Sequence, residues 1–281
     1  MKNILFVMLI LFSSAAADAE PQTKIRRPFF TVCADTHDEK KRSFDEQHAL
    51  LAELGFDGMT HLGLGKIPER LESAKKYGLK VFCVYQSFNF NKPLDPKLSE
   101  TLACLKDSGT FLALSIEGGK PSDASLDDKA VKLVQELKAV ADPLGIKIVL
   151  YPHKNSWNEK VADCVRMAGH FDGKVGVMFN LCHWAAVDKS ENLETVLQSA
   201  KPYLAAITIH GSDTPEEIQT KKGNWIQPLD AGSYDLTELF RILDSIGYTG
   251  PVGLQCFGIK GDAKLHLERS MKKWKEMMPV R

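Results

Sequence analysis

The chain has 281 residues, with 36 lysines and arginines against 36 aspartates and glutamates, so its formal net charge is zero; 44% of it is hydrophobic. A neutral balance excludes the basic surplus that binding to nucleic acid or an anionic membrane requires, and the length suits one large domain. The six cysteines form no CxxC pair and no regular spacing. Cys33, Cys83, Cys182 and Cys256 lie in apolar strand-like runs, which reads as buried free thiols more readily than as a disulfide framework, although an oxidising compartment would permit a bridge.

Met1 to Ala19 reads MKNILFVMLILFSSAAADA: a lysine, an apolar stretch from Ile4 to Phe12, then small residues. This is the pattern of a signal peptide, with Ala17-Asp18-Ala19 before Glu20 as the cleavage site, and the apolar stretch is too short to span a bilayer unaided. A short buried strand is the alternative, but nothing in the sequence offers to pair with it. The expectation is a signal peptide over 1–19 and a single domain over 20–281, exported to a periplasm or secreted, with no membrane attachment after cleavage.

From Phe29 the sequence alternates strand and helix signals. FFTVCA precedes a helix from about Ser43 to just before Gly55, and DGMTHL precedes a helix from about Pro68 to Tyr77. LKVFCVYQSF leads to a helix that Pro96 can open, running to about Lys106, and TFLALSIE leads to a helix from about Ser125 to Ala141. IKIVLYPH is followed by a helix from Trp157 to Gly169, and VGVMFN by one from Glu191 to Ala200. AAITIH leads through a long loop to Leu236–Ile246, and GPVGLQC to a last helix from about Ala263 to Met277. Eight βα units in strict alternation require parallel strands with helical crossovers, which predicts an α/β fold, the (β/α)8 TIM barrel. A doubly wound open sheet is the competing architecture.

Side-chain alternation supports closure. In TFLALSIE, Leu112, Leu114 and Ile116 lie on one face, with Ala113, Ser115 and Glu117 on the other; Ile207 and Ile209 oppose Ala206, Thr208 and His210, and Val252 and Leu254 oppose Gly253 and Gln255. Bulky residues then meet the outer helices while small or polar ones point into the barrel. Glu117, Tyr151, Asn180, His210 and Gln255 become inward residues at carboxyl ends of strands, where active sites of this fold form. The run Val175–Asp188, VGVMFNLCHWAAVD, is the clearest case: an apolar strand that ends on Asn180, with His183 three positions later.

The stretches KIVLYPHKNSW, VGVMFNLCHWAAVD, ITIHGSD, IQPLDAGSYDLTELFRILDSIGYTGPVGLQCFG and LERSMKKW resemble the sugar phosphate isomerase/epimerase family, also called xylose isomerase-like barrels. The resemblance covers most of the chain after the signal peptide and is strongest from Ile146 onward, with GYTGPVGLQ as the specific marker. Relatives include ketose epimerases, inosose dehydratases, endonuclease-like members and enzymes that cleave or hydrate 3-keto-sugars and their glycosides. The resemblance implies a divalent metal held by Glu, Asp, His and Glu on four consecutive strands, the glutamates also moving a proton beside a carbonyl. Those four positions fall on Tyr151, Asn180, His210 and Gln255, so only the histidine is kept. Three anionic ligands have become neutral, which weakens a 2+ site, and an amide cannot abstract a proton at neutral pH.

A rearranged site is therefore expected. His153, two residues past Tyr151, points the same way on a strand; with Glu117, His183 and His210 it offers either a histidine-rich metal site or a metal-free acid/base set. The catalytic candidates are His153, His210 and Glu117, and His210 and His153 are the candidate ligands for Mn, Zn, Co or Ni. Tyr151, Asn180, His183, Trp184, Trp225 and Gln255 are the candidate substrate-binding residues, the tryptophans laying their faces on a sugar ring. Bland readings stand beside these: His153 and His183 holding their own loops, Glu117 in an ion pair, Tyr151 filling the barrel, and the tryptophans packing at the rim. Trp225 lies in the long 211–234 loop, which could act as a lid. Gly258–Asp262 could offer N–H groups to an anion, or Asp262 could simply cap the last helix.

The expected function is that of an exported sugar isomerase or epimerase-like enzyme. It would act on a sugar or keto-sugar derivative by proton transfer beside a carbonyl, through isomerisation, epimerisation, or keto-sugar elimination or hydration. The partner is a small carbohydrate, and no nucleotide cofactor is expected. The alternative is a non-catalytic sugar-binding or accessory barrel that has lost the family's metal.

Overall fold

A computed structural model of the chain describes residues 26–278. The expected signal peptide lies outside the described residues. The strands are β1 (Phe29–Val32), β2 (Gly58–Leu62), β3 (Lys80–Asn89), β4 (Phe111–Glu117), β5 (Ile148–Leu150), β6 (Gly176–Asn180), β7 (Leu204–Ile209) and β8 (Val252–Gln255). Each pairs in parallel with the next, and β8 pairs with β1 from Phe29↔Val252 to Val32↔Gln255, closing the barrel. The helices are α1 (Phe44–Leu54), α2 (Ile67–Lys76), α3 (Leu98–Leu102), α4 (Asp127–Ala141), α5 (Val161–Ala168), α6 (Leu181–Val187), α7 (Leu193–Ala200), α8 (Pro215–Gln219), α9 (Thr237–Ser245) and α10 (Ala263–Met277). No helix among the described residues is long and apolar enough to cross a membrane.

Local chemistry sets the helix ends. Ser43 accepts from the Glu46 N–H while Glu46 reaches back to the Ser43 N–H, a capping box, and Gly55 at φ 88° ends α1 in the left-handed region. Asp262 caps α10, accepting from the Lys264 N–H at 3.0 Å and pairing with Arg42 at 2.7 Å. The capping role expected of Asp262 is thus the one it takes.

The expected division of faces holds. Leu112, Leu114, Ile116, Ile207, Ile209, Val252 and Leu254 share one core with the buried faces of the helices. Cys83, Ala113, Val149, Tyr151, Met178 and Ala206 form a separate cluster of buried inward residues. Toward the amino ends of β1 and β3, Phe30 stacks on Phe82 with ring centroids 4.5 Å apart. A Cβ on Gly253 would come within 2.8 Å of the Phe30 ring, so the missing side chain makes room for that plug.

Several predicted boundaries move. Pairing of β5 stops at Leu150, because Tyr151-Pro152-His153 turns up into the mouth. The helix expected from Trp157 begins at Val161: Trp157 is fully buried, and Asn158 spends its side chain accepting from the Ile116 N–H at 2.7 Å and donating to the Tyr151 carbonyl at 3.1 Å. Residues read as loop after Asn180 form α6, and α7 starts at Leu193 rather than Glu191. The long loop carries the short helix α8, opened by a Thr214–Glu217 capping box.

Phe29 lies between Phe56 (centroids 5.3 Å) and Trp274 (4.1 Å, nearly coplanar), joining the first strand to the last helix. Replacing Phe29 with Ala is expected to cost about 3–5 kcal/mol in urea unfolding; a loss below about 1 kcal/mol would mean that this stack does not hold the ends of the chain together.

Candidate active site

The carboxyl ends of the strands surround a cavity of about 860 Å³. Its walls carry Tyr85 and Ser87 from β3, Tyr151, His153 and Lys154 after β5, His183 from α6, Trp225 from the long loop, and Gln255 from β8. Cys33, Cys83 and Cys182 also line it, and among the described residues Lys154 supplies the one charged side chain in the lining. Burial pushes the Cys33 and Cys182 thiols up to about 12, so they are uncharged walls rather than nucleophiles.

His153 and His183 stand with ring centroids 4.1 Å apart, and a single residue fixes both. The Nδ1 of His153 lies 2.9 Å from the Lys154 carbonyl. A carbonyl only accepts, so Nδ1 carries the proton and Nε2 is left with a bare lone pair. The Lys154 N–H in turn donates to Nδ1 of His183 at 3.4 Å, which puts that ring's proton on Nε2. Neither Nε2 has a protein hydrogen-bond partner among the described residues, and neither is sealed from solvent-sized space. Burial lowers both pKa values, that of His183 well below 6.5 with the neighbouring His153 adding to the effect, so both rings are neutral near pH 7. One neutral ring is a base, and its neighbour is a hydrogen-bond donor.

Around them the polar groups are fixed donors. Gln255 Oε1 accepts from the Cys256 and Phe257 N–H groups, both at 3.1 Å, which turns its NH2 toward the Tyr151 hydroxyl 3.4 Å away. Burial raises Tyr151 well above its usual 10, so it keeps its proton. Trp225 donates through Nε1 to the Cys182 carbonyl and meets the His183 ring edge-on at 6.1 Å. Its loop is stitched down: Gly211 and Gln227 exchange backbone bonds at 3.1 and 2.8 Å, and Asp213 accepts from the Asn224 and Ser233 N–H groups. A Cβ on Gly211 would sit 2.0 Å from the Pro228 carbonyl oxygen, so only glycine permits that approach.

The described residues 48–277 match the family profile "Xylose isomerase-like TIM barrel". The chain belongs to this family. Among solved structures, the xylose isomerase-like chain is similar to apo 3-keto-D-glucoside 4-epimerase YcjR from E. coli, with 16% identity over 90% of this chain and 100% of that one and a TM-score of 0.67. It is also similar to D-psicose 3-epimerase from Clostridium cellulolyticum H10 with D-tagatose (16%, 89% and 99%, TM-score 0.67) and to the probable 3-DHS dehydratase AsbF from Bacillus anthracis (16%, 88% and 98%, TM-score 0.64). At these identities the likeness is one of fold. Comparison with curated proteins finds no match.

The xylose isomerase-like barrel brings together Tyr151, His153, His183, Trp225 and Gln255, but not the other candidates. Glu117 is absent from the cavity wall and accepts from the Ser156 hydroxyl at 2.7 Å, holding the turn that follows β5. Asn180 is fully buried, with Oδ1 taken by the Thr208 hydroxyl. Trp184 packs into the core beside Phe179 and Tyr234 rather than facing the cavity. His210 is fully buried behind the wall; its Nδ1 donates to the Gly211 carbonyl, which leaves Nε2 a buried lone pair without a partner among the described residues. Tyr85 and Ser87 went unnoticed in the sequence, although their alternation with Cys83 on one strand face was the available signal.

These donors do not fit the metal site that the family resemblance implies. His210 Nε2 is a free nitrogen, but Gln255 Oε1 and Asn180 Oδ1 are already engaged, Tyr151 is held as the phenol, and Glu117 is turned to Ser156. Among the described residues no group of three or more His, Cys, Asp or Glu side chains is arranged to hold an ion.

His210 has a folded-state pKa of about 4 through burial, against an ordinary 6.5. His48 and His266 are lowered to about 4 in the same way. Below pH 6.5 the unfolded chain takes up these protons and the folded chain does not, so stability is complete above 6.5 and falls as the pH drops toward 4. Thermal unfolding is expected to show Tm declining from pH 6.5 to pH 5, with a shallower decline in His210→Gln; a Tm constant over that interval would contradict the burial of neutral imidazoles.

Proposed function

We propose that this xylose isomerase-like protein is an exported enzyme that moves a proton at a carbon beside the carbonyl of a keto-sugar derivative without a metal ion. The opposed tautomers of His153 and His183 carry this reading. A sugar ring resting against Trp225 would present its C–H to the bare Nε2 of His153, which removes the proton as general base. Negative charge then develops on the carbonyl oxygen as the enediolate forms. The His183 Nε2–H and the Tyr151 hydroxyl, held by Gln255, are the fixed donors available to it; both side chains are buried in a largely apolar wall, where a hydrogen bond is stronger than in water. The protonated His153 returns the proton to the same face, which exchanges it with solvent, or gives it to a leaving group that departs from the next carbon as the carbonyl re-forms, which is elimination. Epimerisation would need a second donor on the opposite face of the carbon.

Support from relatives is of kind rather than detail: similar barrels include a 3-keto-D-glucoside 4-epimerase and a D-psicose 3-epimerase. The second reading, a sugar-binding barrel without turnover, draws its support from the amides at two of the family's carboxylate positions, Asn180 and Gln255.

Incubating the mature protein in deuterium oxide with EDTA and a panel of ketoses and 3-keto-glucosides is expected to place deuterium beside the carbonyl, read by NMR. His153→Gln should slow this by about 100-fold or more. Binding without deuterium uptake by the parent protein would favour the second reading. Export has its own check: N-terminal sequencing of protein from the extracytoplasmic fraction is expected to begin at Glu20, and a retained Met1 would reject it.

A further inference from the structure

The cavity is larger than its proposed chemistry needs. At about 860 Å³ it lies near the upper end of the roughly 300–1,000 Å³ spanned by pockets that enclose drug-sized ligands, well beyond one sugar ring. Its two sides also differ. In a closed ring of eight strands β1 stands across from β5, so the wall made by β1, β2 and the residues after β8 faces the wall that carries His153 and His183. That far wall presents Val32, Cys33, Leu62, Phe257 and Gly258, with no charged side chain.

Leu62 and Phe257 are two of the three exposed large hydrophobic residues among the described residues, at 36% and 53% exposure, and both border this one cavity. The Phe257 ring is held in place despite its exposure. His37 meets it edge-on at 4.9 Å, and the His37 ring is fixed by the Gly258 N–H donating to its Nδ1 at 3.1 Å. A Cβ at Gly63 or Gly258 would find no atom within 4 Å, so the cavity is open along this edge. A braced aromatic face beside an aliphatic side chain, on an uncharged wall continuous with a sugar site, is built to take a flat apolar group.

We infer that the substrate is a glycoside or keto-glycoside with an uncharged aromatic aglycone, the sugar lying against Trp225, His153 and His183 and the aglycone against Phe257 and Leu62. This inference rests on the proposed sugar site and names the second half of its ligand. Charge selects within the class: the aglycone wall offers no cation to a carboxylated or phosphorylated group and no anion to an amine.

Calorimetric titration of the mature protein with methyl and phenyl β-D-glucopyranoside, the methyl and phenyl 3-keto-β-D-glucopyranosides, the matching galactosides, and phenol alone tests it. In at least one sugar series the phenyl glycoside is expected to bind about tenfold or more tightly than the methyl glycoside. Phe257→Ala should weaken the phenyl glycoside far more than the methyl glycoside, removing most of that difference, and Leu62→Ser should act in the same direction. Equal affinity for methyl and phenyl glycosides would overturn the aglycone site and leave the sugar reading standing, as would a Phe257→Ala variant that weakens both alike. Phenol binding as tightly as phenyl glycoside, or no glycoside binding at all, would overturn the sugar reading and this inference with it.

Discussion

Pairing of β1 with β8 is the constraint from which the rest follows, because it turns an open sheet into a ring. A ring has no edge strands to protect and only two kinds of surface. The outward face, Leu112, Leu114, Ile116 and their counterparts, must be covered by helices, and the inward face must be filled by whatever fits a narrowing tube. Phe30 and Phe82 fill the amino end. At the carboxyl end the filling stops at Cys83, Tyr151 and Met178, and the space above them is the cavity. Neither the position of the site nor its apolar floor needs any further cause.

The electrostatics of the mouth follow from a lining in which no described residue is a carboxylate. A set of neutral groups in a desolvated space can stay neutral, and each one's hydrogen-bond partner then decides whether it donates or accepts. Here backbone atoms make that decision: both faces of the Lys154 residue for the two histidines, and the N–H groups of Cys256 and Phe257 for Gln255. Of the four positions at which the family resemblance implies charged metal ligands, Tyr151 and Gln255 line this cavity as neutral groups, while Asn180 and His210 are buried away from it.

Much of this was legible in the sequence, and for identifiable reasons. The eight strands could be read because burial on both faces makes each one a short apolar run, and Leu112–Glu117 alternated cleanly enough to separate inside from outside. Ser43, Gly55 and Asp262 announced helix ends through cap chemistry. What could not be read were features set by distant contacts. Asn158 delays α5 by bonding β4 and the turn after β5, α6 begins directly at the end of β6, and Trp184 turns away from the cavity because α6 carries it toward Phe179. His153, His183 and Trp225 were visible as residue types at a mouth, whereas the tautomers that distinguish them depend on single hydrogen bonds. Glu117 had the right strand position, but the Ser156 hydroxyl claims it.

The stitched 211–234 loop bears on how ligands come and go. Asp213, the Gly211–Gln227 bridge and the bond from Trp225 to the Cys182 carbonyl hold the aromatic wall in place before anything arrives. A wall that is already ordered surrenders little conformational freedom on contact, so encounter rates should vary little from one ligand to another. Discrimination then resides in residence time: the molecules that complement the preformed surface stay, and the others leave at once.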